Sequence, residues 1–430
     1  MIMRYDLYKD SGVEWIGEIP SHWDIKKNKY FTQPQKNKSE KGDEELLSVS
    51  EQFGVITRKS IREDQENLTR SESLVGYLKV KKGELVSNIM LMWKRGLGVS
   101  EHNGIVSPSY SVFSFLNSEP KYFHYLFRTD QYVSEFRRNS TGVIESRLRL
   151  YDDSFGSLKS HFPPLDEQNQ IVNFLDKKTN LIDELIKKIE QMIELLNEQR
   201  NSLINEVVTQ GLNPNVEKKE SGVEWIGEIP SHWKISKLKY IVSENQQSLS
   251  NSTDPDLELD YIEISDVNSI GEFKKPTKYI FSESPSRCRR ICRKGDVIIS
   301  TVRTYLKSIG IIEEQKENLI CSTGFSVLTP KSEYLSKYVF YMLRSNWFIS
   351  KIISKSEGVS YPSVQSHKLL GTDVITMDKQ EQQKIVEFLD EETQKIDKTI
   401  FDELKRIDLL KEYKQSLISE VVTGKKRVVG

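Results

Sequence analysis

Cationic and aromatic side chains gather at a few places along this 430-residue chain. The first half holds Arg58-Lys59, Trp93-Lys94-Arg95, Arg147 and Arg149; the second holds Arg289-Arg290, Arg303, Tyr305 and Lys307. Guanidinium and ammonium groups donate to phosphate oxygens and to guanine edges, and aromatic neighbours add stacking surfaces. Aligning Gly83 with Gly295 sets Trp93 against Tyr305, Arg95 against Lys307 and Gly98 against Gly310. A loop that keeps its aromatic-plus-cation character while its sequence changes suits a base-reading surface. Taken singly, each of these residues is more often a solvated charge, so the argument rests on the set.

Catalytic spacings are missing. The chain has no GxxxxGK[ST] phosphate loop, no GxGxxG, no HExxH and no GxSxG. It also lacks the Asn/Asp-Pro-Pro-Tyr/Phe tetrapeptide of amino-methyltransferases. Cys288 and Cys292 are spaced for a metal, but a structural zinc site needs four ligands. Only Cys321 and His367 stand near them, so no metal site is expected. His22 and His232 belong to a duplicated motif beside a duplicated Trp, which reads as structure rather than catalysis.

The frame that holds these residues is a repeat. Ser11–Trp23 and Ser221–Trp233 both read SGVEWIGEIPSHW. Glu167–Asp176 (EQNQIVNFLD) matches Glu381–Asp390 (EQQKIVEFLD), and Ser202–Thr209 (SLINEVVT) matches Ser416–Thr423 (SLISEVVT). One unit of about half the chain has been duplicated, and the middles have diverged. The divisions read from sequence are two divergent regions, 1–165 and 211–378, and two helical segments, 166–210 and 379–430.

From Ile171 to Val208 apolar residues recur at helical spacing with no Pro or Gly, and Ile182, Ile189, Leu196 and Leu203 sit seven apart. The second copy offers Ile396, Leu404, Ile407, Leu410 and Leu417. Each helix would run about 60 Å at 1.5 Å per residue. Neither seam can stay bare, so the simplest solution packs the two as a coiled coil. Gln199 and Arg200 interrupt the first seam. A helix that only caps its own region remains the alternative. Asp378 and Glu381 suit a capping box. Ahead of each helix lie short β-rich patterns, among them Leu259–Ile264 and the glycine corners at Gly83 and Gly295. Tyr122–Arg128 and Tyr338–Arg344 look like one matching amphipathic helix. The fold class is therefore α+β: two similar mixed α/β domains separated by two long helices.

Net charge is −1, and 37% of residues are hydrophobic. A protein binding DNA by phosphate contacts alone is usually more basic than this, so any such protein would borrow part of its grip from a partner. No apolar run reaches the roughly 18 residues of a membrane span. The amino-terminal residues lack an apolar secretory stretch, and three cysteines suit a reducing compartment. The expected location is cytoplasmic, with no membrane partner.

Together the duplicated SGVEWIGEIPSHW, the KKGELVSN and RKGDVIIS corners, the TGV…PPLDEQ…IVNFLD join and the SLINEVVT helix end resemble the specificity subunit of type I restriction-modification enzymes. The resemblance covers nearly the whole chain and occurs twice in order. It implies two target-recognition domains, each reading half of a split, asymmetric sequence in double-stranded DNA. It implies a pseudo-twofold arrangement with the helices as an antiparallel spacer. It also implies a noncatalytic chain that docks two methylation subunits and is joined by restriction subunits. S-adenosylmethionine, ATP and magnesium would be bound by those partners and not by this chain. Met377-Asp378 stands where the first copy has Pro163-Pro164, which suggests that the second recognition domain sits at a different angle to its helix. The Trp15/Trp225 and Trp23/Trp233 motifs are expected to brace helix ends. Two other readings stay open: an autonomous nuclease or methyltransferase with unrecognised motifs, and a coiled-coil scaffold without a DNA role.

Overall fold

The computed structural model describes residues 2–57 and 74–428. Arg58 and Lys59 lie outside them. In chain order the described α-helices are α1 Pro120–Phe127, α2 Asp130–Arg138, α3 Asp152–Ser157, α4 Leu165–Gln210, α5 Leu238–Ile241, α6 Ser336–Leu343, α7 Asn346–Ser354, α8 Ser366–Leu370 and α9 Lys379–Val422. The chain forms two compact units, Met1–Ile189 with Lys405–Gly430, and Glu190–Leu404. Each unit therefore contains a recognition region together with part of both long helices. Among the described residues no helix is long and apolar enough to cross a membrane.

The first unit is built on a four-stranded antiparallel sheet in the order Leu97–Val99, Leu85–Asn88, Tyr110–Phe115, Thr32–Gln35. Gly83 turns the chain into the central strand at φ +90°, and all four residues of Leu85–Asn88 are buried. Phe31 and Phe123 stack at 4.5 Å and join α1 to the sheet. The second unit repeats this sheet as Val242–Glu244, Phe325–Pro330, Val297–Ser300, Ile309–Ile311, again entered through a glycine (Gly295, φ +91°). It adds a second four-stranded sheet, Thr277–Ile280, Glu258–Ile262, Leu319–Ser322, Cys288–Ile291, in which Glu258–Ile262 and Leu319–Ser322 run parallel.

What joins sheet to helix is the same in both units. Gln168 is fully buried at the start of α4. Its amide oxygen accepts from the Glu119 N–H at the head of α1 (2.8 Å), and its amide nitrogen donates to the Pro163 carbonyl (2.8 Å). Gln382, equally buried, accepts from the Leu335 N–H (2.9 Å) and donates to the Met377 (3.0 Å) and Glu333 (3.2 Å) carbonyls. The second join thus needs no double proline. Asp378 instead caps α9 by accepting from the Glu381 N–H (2.9 Å).

The repeated thirteen-residue motif receives a helix end. The Trp23 indole is fully buried, and a Cβ on Gly424, just past α9, would lie 2.5 Å from Pro20 and 3.0 Å from that indole. Trp233 meets Gly211, just past α4, in the same way, at 3.2 Å. Both glycines have positive φ, +75° and +76°, so they combine the left-handed turn that ends a helix with the closeness the ring demands. Trp15 and Trp225 act elsewhere. Trp15 packs edge-on against Tyr132 of α2, and the Lys351 ammonium of α7 lies 3.4 Å over the Trp225 ring.

Within each unit the two long helices run antiparallel. In the first, Lys414 pairs with Asp183 (2.6 Å), and Ile171 and Leu175 share a core with Leu417, Ile418, Val421 and Val422. In the second, the buried Arg200 pairs with Asp397 (3.1 Å), and Ile204, Val207 and Val208 share a core with Ile385, Val386 and Leu389. Of the seam residues named from sequence, Ile182, Ile189, Ile396, Ile407 and Leu417 are buried, and Leu196, Leu203 and Leu410 are half-buried. Leu404 points outward at 49% exposure. The heptad step from Ile396 to Leu410 falls on Glu403, one residue earlier, so an apolar neighbour at the wrong angle was counted into the seam. Arg200 fills its interruption by bringing a counter-ion from the other helix.

Two stability predictions follow from these cores. The Trp23 indole N–H donates to Glu167 (3.0 Å), whereas the buried Trp233 N–H has no partner among the described residues. Replacing either Trp by Phe removes similar volume, but only Trp23→Phe breaks a charge-assisted bond. We expect it to destabilise by about 1–2 kcal/mol more than Trp233→Phe in urea denaturation, and equal losses would contradict this asymmetry. The second prediction concerns pH. Burial, and then the Lys425 charge, push His161 down to about 3. The Tyr132 hydroxyl accepts from the His161 backbone N–H (3.0 Å) and shares a hydrogen bond with its Nδ1 (2.8 Å), while the buried Nε2 has no partner among the described residues. The folded state thus refuses a proton that the unfolded chain takes below about pH 6.5. Stability is complete above that pH and falls below it, by about 2 kcal/mol between pH 7.5 and pH 5. His161→Phe should remove this share of the acid sensitivity in denaturation midpoints measured at both pH values.

Candidate nucleic-acid interface

In each unit the strand that follows the glycine corner ends in a 3-10 turn. It is Met92–Lys94 in the first unit and Thr304–Leu306 in the second. A cation in the left-handed region closes each turn, Arg95 at φ +61° and Lys307 at φ +54°. Arg303, at φ +52°, opens the second. The left-handed region costs a non-glycine residue about 1–2 kcal/mol, so these cations are held by their surroundings. The Arg95 Nε donates to the Arg128 carbonyl (3.1 Å), and its guanidinium pairs with Asp130. The Arg303 backbone N–H donates to the Pro362 carbonyl (2.7 Å), and its guanidinium stacks 4.4 Å from the Tyr361 ring centre.

The aligned aromatics differ in what they present. Trp93 is buried, donates its indole N–H to the Met90 carbonyl (2.9 Å), and lies between the Lys94 ammonium (4.8 Å) and the Arg137 guanidinium (5.1 Å). Its faces are taken, which leaves Lys94 as the exposed member of that turn. Tyr305 is 50% exposed, with Leu306 beside it. The same backbone therefore offers a cationic tip in one unit and an aromatic tip in the other.

A second loop meets each turn. In the first unit it runs between Thr141 and Arg149, which form a backbone bridge, and the Leu150 N–H donates to the Ile89 carbonyl (2.9 Å). Arg147 and Arg149 are exposed on it, and Arg149 reaches the Met90 sulfur at 4.0 Å. In the second unit Glu357 and Ser363 form the bridge, and the Val364 N–H donates to the Thr301 carbonyl (2.9 Å). Arg289 and Arg290 stand apart from these loops, on the edge strand of the second sheet. Arg289 lies 4.9 Å over Phe281, and Arg290 donates to Ser248 (3.2 Å). The first unit's group thus gathers Lys94, Arg95, Arg147 and Arg149, whereas the second divides between two sheets.

One residue central to this geometry escaped the sequence reading. The Arg128 guanidinium donates to four carbonyls: Arg95 (2.9 Å), Leu97 (2.7 Å), Glu51 (2.8 Å) and Gln52 (2.8 Å). Burial, and then the Arg95 charge, bring it down to about 10. Its counterpart Arg344 is buried against Phe340 (4.9 Å), and burial brings it down to about 9. The only signal was the shared Arg ending two matching helices. Among the described residues, no group of three His, Cys, Asp or Glu side chains is placed to hold a metal. His22 and His232 hydrogen-bond Glu167 (2.8 Å) and Glu381 (2.9 Å) at the helix joins.

The chain is similar to several known proteins. The family described as type I restriction modification DNA specificity domain matches residues 230–406. The type I restriction enzyme MjaVIII specificity subunit of Methanocaldococcus jannaschii is 24% identical over 367 residues, covering 82% of this chain and 83% of that protein. Among solved structures, a chain of a type I R-M system, studied for its complex assembly and conformational transition, superposes with a TM-score of 0.67 at 16% identity. It covers 94% of this chain and 98% of its own. The HsdS subunit from Thermoanaerobacter tengcongensis gives a TM-score of 0.52 at 15% identity with the same coverage. Both show the fold.

The carbonyl clamp yields a prediction. A lysine at 128 keeps the charge but has no planar fork to span four acceptors. We expect Arg128→Lys to destabilise by about 2–4 kcal/mol and to speed hydrogen exchange in segments 51–53 and 95–98. Unchanged protection there would show the clamp to be idle.

Proposed function

We propose that this chain, which belongs to the specificity subunits of type I restriction-modification systems, reads a bipartite DNA target with one unit per half-site. The observation that supports this most directly is one backbone frame carrying two presenting surfaces. The glycine corner, 3-10 turn and left-handed cation recur, while Lys94 faces out in one unit and Tyr305 in the other. A duplicated reader serving a symmetric site would have no reason to diverge there. The residues assigned to DNA are Arg58, Lys59, Lys94, Arg95, Arg147 and Arg149 in the first region. In the second they are Arg289, Arg290, Arg303, Tyr305 and Lys307. Trp93 acts from beneath, as a platform for Lys94. The chain does no chemistry itself. Two methylation subunits dock on it, restriction subunits complete the nuclease, and S-adenosylmethionine, ATP and magnesium belong to these partners. A net charge of −1 suits a reader whose partners supply much of the phosphate grip.

Coexpression with the neighbouring methylation subunit, followed by mapping of methylated bases in host DNA, tests this reading. The expected product is a split motif with two methylated bases on opposite strands, about one helical turn (~34–36 Å) apart. Exchanging residues 24–165 for those of another specificity subunit should change one half of the motif and leave the other. A complex that assembles and binds methyl donor but marks no sequence would refute DNA reading and favour a scaffold.

A further inference from the structure

We propose that Val143 and Val359 are groove-entering tips, apolar contacts that both units make with the duplex whatever bases they read. This rests on the DNA-reading function proposed above. Val143 is 98% exposed, and Val359 is completely so. A single exposed valine is ordinary, but these two occupy the same place in loops that otherwise differ in length and sequence. Each follows a glycine of positive φ, Gly142 at +155° and Gly358 at +109°. A Cβ on Gly142 would lie 2.5 Å from the Arg147 carbonyl oxygen, and one on Gly358 would lie 3.2 Å from that of Tyr361. The turns are thus tightly closed, and the bridges Thr141–Arg149 and Glu357–Ser363 hold the valines at their tips. β-Branching stiffens each side chain. These features hold two methyl groups in water at a fixed position, and neither core gains from them.

The surroundings name the occupant. Beside Val143 stand exposed Ile144, Arg147 and Arg149, with Lys94 on the adjoining turn; beside Val359 stands Tyr361, with Arg303 stacked on its ring. The nearby carboxylates are engaged, Glu145 by Arg137 and Glu357 by Lys368. An apolar knob ringed by cations complements a duplex groove, whose rims are phosphates and whose floor offers base edges and sugars. Because Gly-Val is common to the two loops while the flanking residues differ, it cannot carry the difference between half-sites. It should add affinity without adding sequence preference.

The test uses the assembled complex with its methylation subunits. Binding to its mapped target and to a scrambled duplex is read by fluorescence anisotropy across a salt series, for Val143→Ser, Val359→Ser and the double variant. Exposure at both positions keeps folding out of the result. Each single variant should weaken binding to both duplexes by about tenfold, the worth of one buried valine. The ratio between duplexes and the salt slope should stay unchanged, because methyl groups release no counterions. Arg147→Ala should instead lower the slope by about one. The proposal is overturned if the double variant binds within about twofold of the parent, or if one half-site loses preference while nonspecific binding persists. Loss of the methylation subunit in size-exclusion chromatography would overturn it as well, in favour of a protein contact. A parent complex that prefers no duplex would overturn the DNA reading itself.

Discussion

The architecture depends on two buried glutamine amides. A primary amide taken fully out of water must have its hydrogen bonds met, or it costs more than it returns. Gln168 and Gln382 meet theirs by holding the first turn of a long helix, the chain just past the last strand of a recognition domain and the head of α1 or α6 at one point. The adjoining Glu167 and Glu381 extend the point to the repeated motif. Glu167 accepts from Tyr5 (2.6 Å) and Trp23 and engages His22; Glu381 engages His232. One dipeptide at each helix start therefore fixes how recognition loops are carried by the spacer helices. That explains why it recurs while the loops diverge.

Much of this was legible in the sequence, because repetition is a signal that needs no energy function. The thirteen-residue motif, the helix starts, the glycine corners at 83 and 295 and the pairing of Trp93 with Tyr305 all fall at structurally matching places. The roles behind the letters were less legible. That Trp93 is sealed off depends on α2, some forty residues further along, which closes over the turn and brings Arg137 to the ring. Tyr305 keeps the same local geometry with half of its surface exposed. Periodicity also misled in one place. Leu404 was counted into the seam because leucine looks like seam, while the heptad position belongs to Glu403. Arg128 was missed because a single arginine at a helix end carries no pattern. Its importance comes from four carbonyls supplied by two distant turns.

Charge composition misled in a more general way. Basic and acidic residues nearly balance, which alone argues against a nucleic-acid ligand. The structure divides the basic residues into two populations. Arg128, Arg200 and Arg344 are buried or half-buried and spent on carbonyls, a carboxylate or a ring face, and they contribute little to the external field. Arg95, Arg289 and Arg303 are also half-buried, but each lies on the candidate interface and is held, by Asp130, by the Phe281 ring and by the Tyr361 ring. A restrained guanidinium loses little rotamer freedom on binding, so its value lies in direction rather than in charge. Direction is what a reader of base edges needs, whereas charge can be borrowed from a partner. A near-neutral chain with a few rigidly aimed cations is therefore the expected outcome when sequence reading and phosphate binding are divided between subunits.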